Sequence, residues 1–83
     1  MRLHPDVTTA DTPDGTVLLH LTTGRYWQLN ATGSTVLRGL LDGGEPEGIA
    51  AELASLHGVD AAVTREDVAA VVDQLESAGL VMA

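Results

Sequence analysis

The chain has no cysteine, no lysine and no phenylalanine, and Tyr26 and Trp27 are its only large aromatic residues. Without cysteine it has neither a disulfide framework nor a thiolate metal site. With no lysine and only four arginines, it lacks the basic surface with which nucleic-acid-binding domains neutralise phosphates. Apolar runs fall far short of the roughly 20 residues that cross a bilayer, so no membrane association is expected. Met1–Gly15 shows no charged-then-apolar pattern of a signal peptide, which points to the cytoplasm.

What is present is small and aliphatic. At 83 residues, 45% of them apolar, the chain reads as one domain spanning 1–83, with a thin core built mainly from Ala, Val and Leu. The net charge of −8 is unevenly placed. In residues 1–41, Asp6, Asp11 and Asp14 cancel Arg2, Arg25 and Arg38, whereas residues 42–83 carry nine carboxylates against Arg65 alone. Such a field repels nucleic acid and favours a cationic partner, besides serving solubility.

The first thirty residues read as a strand meander. Val7–Ala10 is β-prone, Thr12-Pro13-Asp14-Gly15 signals a turn, Val17–Leu21 is a second β-rich run, and Arg25–Leu29 follows Thr22-Thr23-Gly24. Turns this short join antiparallel strands. From Asn30 the hydrophobic period becomes helical. Asn30 or Thr32 can cap a helix through Val36, Leu37, Leu40 and Leu41 that ends at Asp42-Gly43-Gly44. A second helix is expected from Pro46 to Gly58, and a third from Thr64 to Ala78, with Glu66 and Asp67 in its first turn. The expected fold class is α+β: a three-stranded antiparallel sheet followed by three helices, a winged helix-turn-helix-like order.

Reactive constellations are missing. His4, His20 and His57 have no paired ligand spacing, so no metal is expected. Ser34, Ser55 and Ser77 lie in helical segments outside any nucleophile-elbow sequence, and no glycine pattern cradles a phosphate or a dinucleotide. The sequence therefore implies no catalytic residue, no cofactor and no enzyme, and a chain this short is not expected to enclose a pocket of several hundred cubic ångströms.

Two surfaces stand out. Arg25–Leu29 comes last in the meander, with Trp27 and Leu29 on one face to fill the core and Tyr26 and Gln28 on the other. As an edge strand it would leave backbone donors and acceptors open to an added peptide strand, with either parity of residues facing outward. On the third helix Thr64, Val68, Val71, Val72, Leu75 and Gly79 form an apolar arc for the core. Ala69, Asp73 and Glu76 lie on its shoulder beside Val72, a small apolar step rimmed by carboxylates.

The run Leu21 to Gly33, containing Arg25-Tyr26-Trp27-Gln28-Leu29-Asn30, then Val36–Gly43, Ile49–Leu53 and Glu66-Asp67-Val68 through Leu75 to Gly79-Leu80-Val81, resembles the PqqD-like family of recognition elements. Within it, the resemblance is to the stand-alone leader-binding proteins of lasso-peptide biosynthesis, a class of ribosomally synthesised and modified peptide (RiPP). The resemblance implies a winged helix-turn-helix that binds the leader segment of a precursor peptide, adding it to the third strand and packing it against the third helix. Carried over, it implies Arg25, Tyr26, Trp27, Gln28 and Leu29 for backbone pairing. The groove wall would be Val68, Val72, Leu75 and Glu76, with Ala69 and Asp73 beside them. The implied partners are a basic leader peptide, a leader peptidase and a macrolactam-forming cyclase. A DNA-binding winged-helix regulator is the competing reading, opposed by the charge.

Overall fold

The computed structural model describes residues 1–82 and follows the expected order with two additions. The elements are β1 (Arg2–Leu3), β2 (Val7–Thr12), β3 (Gly15–His20), β4 (Tyr26–Asn30), α1 (Ala31–Leu41), α2 (Pro46–His57), α3 (Ala61–Ser77) and β5 (Val81–Met82). β2, β3 and β4 form an antiparallel sheet in that order, the three-strand, three-helix arrangement read from the sequence. β1 and β5, each too short to show a period, pair antiparallel as Arg2 with Met82 and Leu3 with Val81.

Alternation sets the two faces of the sheet. Leu18, wholly buried, pairs with Trp27, and buried Thr16 pairs with buried Leu29, so these four point toward the helices. Val17, Leu19, Tyr26 and Gln28 occupy the opposite face. Thr16 shares a hydrogen bond with Ser34 of α1, whose hydroxyl also accepts from Arg38, and this buried polar link ties α1 to the centre of the sheet. Around it Val36, Leu37, Leu40, Ile49, Leu53, Val68, Leu75 and Leu80 close one aliphatic core.

Local signals explain most helix limits. Asn30 is the α1 cap, its Oδ1 accepting from the Gly33 N–H at 2.8 Å. Pro46 opens α2, and Gly58 in the left-handed conformation closes it. α3 starts three residues earlier than Thr64, because Asp60 accepts from the Ala62 N–H and Ala61-Ala62 are strong helix formers. Thr64 is instead buried, and its hydroxyl donates to the Ala50 carbonyl of α2 at 3.0 Å. Glu66 and Asp67 consequently lie in the second turn, beyond the strongest part of the helix dipole.

Gly15 holds β3 against the end of β4. A Cβ at this position would stand 1.8 Å from the Leu29 carbonyl oxygen, and its φ is +156°. Gly15→Ala is expected to cost about 2 kcal/mol of stability or more, measured by urea unfolding. A midpoint equal to wild type would show that the strand pair yields at no cost.

Candidate functional site

The register of β4 determines which of its backbone groups are open. The His20 N–H donates to the Arg25 carbonyl at 2.9 Å, which makes 20 and 25 a hydrogen-bonded pair. Bonded pairs alternate in an antiparallel ladder, so Trp27 with Leu18 and Leu29 with Thr16 are bonded likewise. Trp27 and Leu29 therefore direct their N–H and C=O groups at β3, as Arg25 does its carbonyl, while the Arg25 N–H donates to the Thr23 hydroxyl at 3.2 Å. Tyr26 and Gln28 direct theirs away from it, along the edge that no strand covers. The parity that the sequence left open is thus fixed by this register.

Three hollows border β4: one of about 440 Å³ lies between Gln28, Leu29 and Asn30 and the β2–β3 turn, and two are bordered by α3. The first of these two, about 530 Å³, lies between the start of α1, the end of α2 and the first half of α3. Val36, Leu53, Val59, Val63, Val68 and Val71 give it apolar walls, and Asn30, Asp67 and His57 are among its polar lining. The second, about 470 Å³, is bounded by Arg25 and Trp27 on one side and Ala70, Asp73, Gln74 and Ser77 of α3 on the other. Ala70 lines both, so the two adjoin at that residue and together make up the candidate groove along α3. Both are open to solvent, so neither is the enclosed pocket that a chain this short was not expected to form.

The expected site residues divide three ways. Arg25 precedes β4, its guanidinium 5.4 Å from the centre of the Trp27 ring. Tyr26 is 68% exposed and Gln28 is exposed on the outer face, while Trp27 is half-buried and Leu29 buried on the inner one. Of the helical residues, only Asp73 borders the hollow beside Arg25 and Trp27. Val68 and Leu75, each 1% exposed, belong to the core, Val68 forming part of the floor of the larger cleft. Val72 is half-buried against the core, and neither it nor exposed Ala69 and Glu76 line the groove.

The reason is geometric. At about 100° per residue, the buried line Val68–Leu75 has two shoulders, one carrying Val72, Ala69 and Glu76, the other Val71, Gln74 and Ala70. A helical wheel locates the core direction but not the shoulder that turns toward β4. In the fold the hollows are bordered mainly by the second, which adds Val63, Asp67, Ala70, Gln74 and Ser77, with Asp73 alone from the side of the first. One signal was available: α1 follows β4 without a loop, so the α3 shoulder next to the start of α1 must also be the one beside β4.

The electrostatics of the groove are sparse. Among the described residues the one ion pair joins Arg38 of α1 to Asp11 of β2 at 3.7 Å and is largely exposed; neither residue lines the two hollows bordered by α3. Asp67 and Asp73 line the groove without a cationic partner, and Arg25 without an anionic one. No group of three or more His, Asp or Glu among the described residues is placed to hold a metal ion, and no helix there is long and apolar enough to cross a membrane.

Residues 15–81 match the family described as coenzyme PQQ synthesis protein D, PqqD. The chain belongs to the PqqD family. Two solved structures resemble it over nearly its whole length. One, described as lasso peptide synthetase B1 complexed with the leader peptide, is 38% identical, with a TM-score of 0.91 over 99% of this chain and 96% of that one. The other, TbiB1 in complex with the TbiA(beta) leader peptide, is 32% identical, with a TM-score of 0.85 over 96% and 93% of the two chains. No curated protein matches the sequence. The chain is a PqqD-like recognition element in family and in fold.

Proposed function

We propose that the chain is a non-catalytic recognition element of lasso-peptide biosynthesis. It captures the leader of a ribosomally made precursor as a fourth strand on β4 and holds it for a leader peptidase and a macrolactam-forming cyclase. The observation that carries this reading is the open Tyr26 and Gln28 backbone beside an apolar cleft. Main-chain hydrogen bonds would supply affinity with little demand on sequence, and the cleft would supply selectivity through alternate side chains. Both similar solved structures contain a leader peptide, which supports the same ligand class here.

Delivery to two enzymes needs a surface that the leader leaves free. The outer face of the sheet meets this need: Tyr26 is exposed, with half-buried Val17 and Leu19 beside it, and no helix packs there. Holding precursor and enzyme together raises the effective concentration of one at the other. α3 itself carries four carboxylates and a single arginine, a poor helix for the major groove, which disfavours DNA binding.

The test is hydrogen exchange with and without the cognate leader. The amides of Tyr26 and Gln28 should gain protection on binding, while those of Trp27 and Leu29, already bonded to β3, change little. Protection confined to another surface would refute strand addition at β4. The charge adds a second expectation: a basic leader should bind two- to fivefold more weakly as salt rises from about 0.05 to 0.5 M, because screening shortens the reach of the acidic half. Fluorescence anisotropy measures this. Tighter binding at high salt would remove electrostatic attraction from the account.

A further inference from the structure

The larger cleft combines apolar walls with an uncompensated carboxylate. Val63 and Val71 of α3 border it together with Asp67, the one lining residue with a fixed formal charge at neutral pH. His57, from the last turn of α2, also lines it. Among the described residues no arginine pairs with Asp67, since the only ion pair is Arg38 with Asp11. The hollow beside Arg25 differs in kind. It holds one charge of each sign, Arg25 and Asp73, so a cation entering it meets repulsion as well as attraction.

Asn30 connects the cleft to the strand edge. It is the last residue of β4 and also lines the cleft, so a peptide paired along β4 delivers the residue leaving that edge to the mouth of the cleft. A side chain with an aliphatic stem and a charged head fits both features, the stem removing apolar wall from water while the head stays at the rim. A simple aliphatic side chain would use the apolar walls but gain nothing from the exposed carboxylate, and an acidic one would be repelled.

We infer that the cleft reads one cationic side chain of the leader, an arginine or lysine next to its strand-pairing segment, and that Asp67 is the residue that selects it. This rests on the leader-binding reading and narrows it: the basic character of the ligand is concentrated at one position instead of being spread along the peptide. Part of the general salt dependence then belongs to a single charge-assisted pair at the rim of the cleft.

Display selection of random 14-residue peptides against the immobilised protein supplies the probe. Selected peptides should carry arginine or lysine at one fixed position beside a β-prone segment, and should lose binding to the Gln28→Pro protein. Replacing that arginine by citrulline, which keeps the shape and removes the charge, should weaken binding to the wild type about tenfold. With Asp67→Asn, at an exposed helix position where circular dichroism should match wild type, the same replacement should change binding less than twofold. Peptides that need the Gln28 edge but have no fixed cation overturn the inference and leave leader binding standing. So does a citrulline effect of equal size in the wild-type and Asp67→Asn proteins. Selecting no peptide, or only peptides that bind Gln28→Pro as well as wild type, overturns the leader-binding reading and the inference with it.

Discussion

Gln28→Pro should leave the domain folded and weaken leader binding at least thirtyfold, whereas Trp27→Pro, one residue away, should unfold or severely destabilise it. Both substitutions remove one backbone N–H, and only the direction of that N–H differs. At Gln28 it points to the open edge, where proline is tolerated in strands because no ladder bond is lost. A leader arriving there would lose a donor and meet the pyrrolidine ring in its path. Thirtyfold corresponds to about 2 kcal/mol, the scale of one backbone hydrogen bond together with a displaced strand. At Trp27 the lost N–H is bonded to the central strand, opposite the wholly buried Leu18, and the half-buried indole is lost with it. A destabilisation of about 3 kcal/mol or more would consume much of what a domain of this size possesses. Trp27→Ala isolates the side-chain share. Thermal melts and leader titrations on the three variants decide the matter, and normal leader binding by folded Gln28→Pro would rule out strand addition at this edge.

Much of the fold was legible because each element carries its own punctuation. Asn30, Pro46 and Gly58 stand where a cap, a first-turn proline and a left-handed stop are required, and the structure uses all three as read. The start of α3 was missed because Thr64 looks like a cap in sequence, while its hydroxyl is needed inside to satisfy the Ala50 carbonyl. Tertiary demand overrode a local signal there. β1 and β5 were illegible for another reason: two residues show no period, and they become strands only because the fold brings both ends of the described chain together, with the His4 N–H bonding the Leu80 carbonyl at 3.0 Å.

The two faces of β4 were legible in the sequence, and the α3 residues that border the hollows were not. Alternation alone separates Trp27 and Leu29 from Tyr26 and Gln28, since a strand has two faces and one must be apolar. A helix offers a continuum of directions. The core line Val68–Leu75 follows from periodicity, but the choice between the Val72 and Val71 shoulders depends on how α3 crosses the sheet, a property of the whole fold. The acidic pattern was only half informative: Asp73 borders a hollow and Glu76 does not. Asp67, the carboxylate beside the larger cleft, reads in sequence as helix-start chemistry.

Ala70→Trp is expected to abolish measurable leader binding, a loss of a hundredfold or more, while Ala69→Trp leaves affinity within about twofold of wild type. Both alanines are exposed in the middle of α3, so the two variants make the same change in helix propensity and surface apolarity. They differ in the shoulder they occupy. Ala70 is the residue shared by the two hollows, where an indole would fill the passage between β4 and the valine-lined cleft. A leader strand would then have to give up either its pairing with Gln28 or its side chain in the cleft, and each loss alone is worth more than tenfold. Ala69 lies on the opposite shoulder, with Val72 and Glu76, outside the groove. Circular dichroism should show both variants folded, since neither substitution enters the core. Equal loss of binding in the two would mean that the leader covers the whole outer surface of α3. The reverse order, with Ala69→Trp the damaging change, would place the leader on the Val72 shoulder and refute the groove described for this fold.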